Sequence, residues 1–191
     1  MNNLHADQKK RSFTLVEMLV VMSLAVVIII GGYAIYIISL KTYQKNTAQG
    51  ELAQNARIAL ERMTRDIRQT MDIVTALGVD QQHFSPEIEF QNGHLTTPIQ
   101  YIDFKLVGSD LEFTPVHYAF NPLDPPDMWV RHDELINGIL PQRITGLPEI
   151  KAQKITALEF WGIIPVVNIN LTVSDDTTSY QFATTSFGRN L

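Results

Sequence analysis

Apolar and polar positions divide the 191-residue chain into three regimes. Residues 18–40 include no charged side chain, and these 23 positions, as a helix rising about 1.5 Å per residue, span a hydrocarbon core of roughly 30 Å. Beyond them, Leu52, Ala56, Ala59, Leu60, Met63, Ile67, Met71 and Val74 recur at the spacing of one helix face. The first proline is Pro86, so one helix is predicted over residues 14–76, apolar all round at first and one-sided later. After Gly78 the period falls to two: Ile88 and Phe90 alternate with Glu87 and Glu89, and Ile102, Phe104 and Leu106 alternate with Asp103 and Lys105. Leu111 and Phe113 follow the turn Gly108-Ser109-Asp110, and Asn92-Gly93 is a second turn signal.

Over residues 114–150 the alternation dissolves. Asn121-Pro122-Leu123-Asp124-Pro125-Pro126-Asp127 is excluded from a central strand because its prolines lack the ladder donor, so a long surface excursion is predicted, pinned to the core by Trp129. Strands resume over 155–161, 166–173 and 179–187, with Ile169, Leu171 and Val173 inward and Asn168, Asn170 and Thr172 outward. A long helix followed by an antiparallel meander predicts an α+β fold, one sheet packed on one helix, without internal repeats.

Charge follows the same division. Residues 1–12 carry Lys9, Lys10 and Arg11 against Asp7, whereas residues 86–191 hold six Lys/Arg against thirteen Asp/Glu, a poor partner for nucleic acid or anionic lipid. The polar helix face, Glu51, Arg57, Glu61, Arg62, Arg65, Asp66 and Arg68, offers the i, i+4 pairs Glu61 with Arg65 and Arg62 with Asp66 and reads as a solvated face. The absence of cysteine excludes disulfides, thiolate metal sites and a thiol nucleophile.

Three readings fit a basic start before an apolar run. A secretory signal would be cut after Gly32-Tyr33-Ala34, but the run continues through Leu40, further than a signal needs. An uncleaved single-pass anchor would keep Lys9-Lys10-Arg11 in the cytoplasm and carry an extracytoplasmic binding or receptor module. Neither calls for Glu17: a carboxylate deep in a membrane helix costs about 2.5 to 3.5 kcal/mol and usually has a partner, although taken alone Glu17 lies near enough the start of the run to reach headgroups at little cost.

The stretch Lys9-Lys10-Arg11-Ser12-Phe13-Thr14-Leu15-Val16-Glu17, running into the apolar helix, resembles the processing site of type IV prepilins and the pseudopilins of type II secretion. The resemblance implies a pilin-like α+β fold and no enzymatic activity. It implies a cytoplasmic leader, residues 1–12, cut by prepilin peptidase between Ser12 and Phe13, with N-methylation of Phe13. Residues 13–40 then form the transmembrane and filament-core helix, 41–78 its amphipathic half, and 79–191 an extracytoplasmic globular domain. Glu17 becomes the fifth mature residue, whose carboxylate neutralises the Phe13 ammonium of a neighbouring subunit and sets assembly register; a buried charge left alone would cost several kcal/mol. The family usually has Gly before the cut, where this chain has Ser12. The implied partners are other pilin or pseudopilin subunits through the N-terminal helix, the peptidase and an inner-membrane assembly platform, with no nucleic acid. Gly31 and Gly32 are either a hinge or a close-packing surface. The helix segment 54–69 and the closing Phe182 to Asn190 pattern, Phe-x-x-x-x-Phe-x-Arg-Asn, look like minor pilins and the larger minor pseudopilins.

The remaining residues point to no catalytic or cofactor chemistry. His5, His83, His94, His117 and His132 include no pair at metal-ligand spacing. Asp124 with Asp127, and Asp175 with Asp176, supply the oxygen ligands calcium takes, yet neither loop has an EF-hand pattern, and turn chemistry accounts for Asp175-Asp176 equally well.

Overall fold

The computed structural model describes residues 14–93, 98–175 and 178–189. Its helix α1 runs Leu15–Gln69 without interruption. Among the described residues eight strands follow: β1 Glu87–Gln91, β2 Tyr101–Val107, β3 Asp110–Ala119, β4 Gln142–Thr145, β5 Glu149–Ala152, β6 Ile155–Trp161, β7 Val166–Ser174 and β8 Ser179–Phe187. A long apolar helix with antiparallel sheets is an α+β, pilin-like architecture. The chain resolves into two compact units, Met1–Thr47 and Ala48–Leu191, with residues of α1 in both.

In the second unit, Leu52, Ala56, Ala59, Met63 and Ile67 are fully buried, the predicted helix stripe. They share one core with Ile88, Phe90, Ile102 and Phe104 from β1 and β2, and with Leu158, Phe160, Ile169 and Leu171 from β6 and β7. Burying each large apolar side chain contributes about 1.5 to 3 kcal/mol.

The helix ends seven residues earlier than its periodicity suggests. Thr70 leaves it, with its hydroxyl 2.8 Å from the carbonyl of Gln91, and the following residues pair with β1: Gln91 N–H donates to Asp72 and Val74 N–H to Glu89, both at 2.8 Å. Met71 and Val74 therefore continue the apolar pattern outside the helix, where the backbone finds its partners on β1. Gly93 closes this corner with φ +85°, where a Cβ would lie 2.3 Å from the carbonyl oxygen of Gln69. Only glycine lets the turn after β1 lie against the helix end.

Two sheets replace the expected one. The first is ordered β1-β2-β3-β4, with β5 also on β3; the second is β6-β7-β8. The predicted hairpins appear in the register Phe104 opposite Phe113 and Ile169 opposite Thr184. Strand β3 extends through Pro115 to Ala119, beyond the point where alternation fades. It pairs with β5 through residues 111–113 and with β4 through 116–119, so Pro115 sits where the partner changes and its missing donor disrupts no ladder.

The excursion after β3 is fastened to the first sheet at several points, with Val130 bridging to Tyr118 of β3. Trp129 stacks on the ring of His117 in β3, centroids 4.0 Å apart, and its indole N–H donates to Asp124 O at 3.3 Å. It thus pins the loop to a strand while remaining half-buried, rather than entering the core. Ile136 and Ile139 bridge across Asn137-Gly138, both with positive φ, the two-residue turn that suits hairpin twist.

Candidate functional site

The front of α1 follows from a local rule: Thr14-Leu15-Val16-Glu17 has the spacing of a capping box. Thr14 N–H donates to Glu17 Oε2 at 2.8 Å, the Thr14 hydroxyl donates to the same oxygen at 3.1 Å, and Glu17 N–H reaches Thr14 Oγ1 at 3.3 Å. These bonds satisfy amide donors that the first helical turn would otherwise leave open. Sequence reasoning gave Glu17 a role between subunits and missed this one within its own helix, although the T-x-x-E spacing is its signal. Among the described residues Glu17 Oε1 has no partner, so half of the carboxylate remains open to a cation. Ser12 and Phe13, the expected cleavage and methylation site, lie outside the described residues.

Behind Glu17 the helix presents apolar side chains on every side. Val20, Leu24, Val27, Ile28, Ile35 and Ile38 are all exposed, and the apolar span is long enough to cross a membrane. The Ser23 hydroxyl donates back to Val20 O at 2.8 Å and that of Thr42 to Ile38 O at 2.9 Å, which suits hydrocarbon, where an open donor is costly. Gly31 and Gly32 lie within unbroken α-helix, and a Cβ at either would meet nothing within 4 Å.

Residues 7–33 match the prokaryotic N-terminal methylation motif. That match supports a type IV pilin-like family and, with the apolar helix, fits membrane anchoring. No curated protein and no solved structure matches the chain.

The second unit holds further polar groups, and several depart from expectation. Glu89 and Asp103, placed by alternation on a solvent face, are buried. Arg143 of β4 reaches both, Nε to Glu89 Oε2 at 2.6 Å and Nη2 to Asp103 Oδ2 at 2.9 Å, while the Tyr118 hydroxyl donates to Glu89 Oε1 at 2.5 Å. Burial pushes the Asp103 carboxyl up although Arg143 opposes it, and burial with Glu89 pushes the Tyr118 phenol well up. Beside them Asp72 holds His132 at 3.3 Å and Arg131 at 3.4 Å, and the Tyr101 hydroxyl accepts from His132 N–H at 3.1 Å. These bonds fasten the excursion to the sheet. Asn170, expected outside, is buried and donates to Glu159 at 2.7 Å.

The candidate calcium loops are built as turns. Asp175 Oδ1 accepts from Thr178 N–H at 2.7 Å, and Asp124 Oδ2 from Asn121 N–H at 3.0 Å. Asp176 lies outside the described residues, among which no cluster of three or more His, Asp or Glu is placed to hold a metal. On the helix, Arg62 pairs with Asp66 at 2.8 Å, but the expected pair of Glu61 with Arg65 does not form.

Proposed function

We propose that the protein is a structural pilin or pseudopilin subunit, of the minor class, that contributes to assembly at a filament tip. The observation that carries this reading is a carboxylate with one open oxygen at the head of an uncovered apolar helix, inside a methylation motif. In this reading residues 1–12 stay in the cytoplasm, prepilin peptidase cuts between Ser12 and Phe13, and Phe13 is methylated. Residues 13–40 hold the subunit in the inner membrane, with the β domain outside the cytoplasm, until the assembly platform passes it into a filament. There the Phe13 ammonium of a neighbouring subunit meets Glu17 Oε1, and the open surface at Gly31 and Gly32 admits close helix packing. No catalytic role is assigned.

Intact-mass and N-terminal peptide analysis of the chain co-expressed with a prepilin peptidase tests this directly. The expected product begins at N-methylated Phe13. A product beginning at Met1 would instead support a membrane-anchored binding protein, and one beginning at Ile35 a secretory signal.

A further inference from the structure

Along the second half of α1 lies a groove of about 940 Å³, between the helix, the Asn92-Gly93 turn and strand β8. Leu60, Thr64 and Ala183 contribute to its lining, and so do four arginines, Arg57, Arg65, Arg68 and Arg189, against one acid, Glu61. The concentration of positive charge is local, because residues 86–191 carry an excess of acid. Among the described residues, Arg57, Arg68 and Arg189 form no ion pair; Arg65 lies 3.7 Å from Asp66, which Arg62 already holds at 2.8 Å. Positive charge is thus gathered with little internal neutralisation, which favours an anion there.

Among the described residues, strand β8 is the last in its sheet and pairs with β7 on one side only. Ser186 Oγ donates to Thr64 O at 3.2 Å and Arg189 N–H to Arg68 O at 3.2 Å, which fixes this edge strand beside the arginine face. An edge strand presents unpaired amides and carbonyls to an incoming strand, and guanidinium groups match carboxylates bidentately. Single-stranded nucleic acid fits less well. Its sites stack bases on aromatic rings, and none lines this groove.

We propose that the groove docks an extended acidic polypeptide segment of another protein, its backbone laid along β8 and its carboxylates on Arg57, Arg65, Arg68 and Arg189. The probe is a fluorescein-labelled peptide alternating glutamate with valine, titrated by anisotropy against the full chain in a neutral detergent. Saturable binding that weakens steeply with added salt is expected. The double substitution Arg57→Glu with Arg68→Glu on the helix side, and Arg189→Glu on the strand side, should each lower affinity at least tenfold with unchanged circular dichroism, whereas Lys154→Glu, outside the groove, should leave it unchanged. Methylating alternate peptide nitrogens should also abolish binding, since strand addition needs those donors. Equal binding by the groove variants, or a single-stranded oligonucleotide that binds where the peptide does not, would overturn the proposal. Peptide binding and N-terminal processing are read separately, so either can fail alone.

Discussion

At the residue scale, Glu17 has two separable features. As the capping-box acid it accepts from Thr14 through Oε2, and as a charge it leaves Oε1 open. Glutamine serves the capping box as well as glutamate does, but has no charge to set against an ammonium. Glu17→Gln is therefore expected to keep the first turn of α1 and lose filament incorporation. Thr14→Ala should do the reverse, loosening the helix start by about 1 kcal/mol while assembly persists. Immunoblots of membrane and sheared-filament fractions check both, and incorporation of Glu17→Gln at the normal level would remove the charge argument. His117 allows a second residue-level test. Burial against Trp129 lowers its pKa from the ordinary 6.5, so the neutral ring is favoured in the folded state. Its contribution to stability is present above pH 6.5 and is lost as pH falls through the depressed folded-state value. His117→Phe keeps an aromatic ring on Trp129 and should flatten the fall in stability below about pH 6.5, as urea midpoints across pH would show.

At the element scale, β1, β2, β3 and β4 are tied by side chains as well as by their ladders. Arg143 serves Glu89 and Asp103 together, so Arg143→Ala leaves two buried carboxylates without their cation. For a fully buried pair such a loss costs about 3 to 5 kcal/mol; Arg143 is 40% exposed, and solvent screening reduces the expectation to roughly 2 to 3 kcal/mol. The deficit should shrink in acid as the carboxylates take up protons, and denaturant titrations at neutral and acid pH would reveal it. This network also shows where the sequence was legible. The helix stripe and the strands around Ile88, Ile102, Leu111, Leu158 and Ile169 were legible because one face of each is apolar at a constant period. Glu89 and Asp103 were not, since alternation tells which residues share a face and not whether a distant side chain such as Arg143 meets them there. Strand β4, with one half-buried and three exposed positions, has no apolar period to detect. Asn137-Gly138 did carry a turn signal, but it lay in a stretch read as irregular because of the nearby prolines. At the candidate site, the methylation motif around Glu17 was legible, while the Thr14 cap required attention to local spacing. The arginine groove was half legible. Arg57, Arg65 and Arg68 share the polar helix face, but Arg189 joins them only through the path of β8.

At the scale of the whole molecule, the two units differ in what they need from their surroundings. The first presents apolar side chains all round and leaves them uncovered, whereas the core of the second is complete within Ala48–Leu191. Leu52, Met63 and Ile67 are fully buried in that core, and together they contribute about 5 to 9 kcal/mol, comparable to the 5 to 15 kcal/mol that separates a typical folded domain from its unfolded chain. The place of truncation therefore decides the outcome. A fragment of residues 48–191 retains all three and is expected to be monomeric in water with a single cooperative thermal transition. A fragment beginning at residue 70 loses them, exposes Phe90, Phe104 and Ile169, and should aggregate or melt without cooperativity. Calorimetry with light scattering on the two fragments checks this. A cooperative transition in the shorter one would mean that the sheets sustain their core without α1, and the amphipathic half of the helix would then be free for partners instead of committed to its own domain.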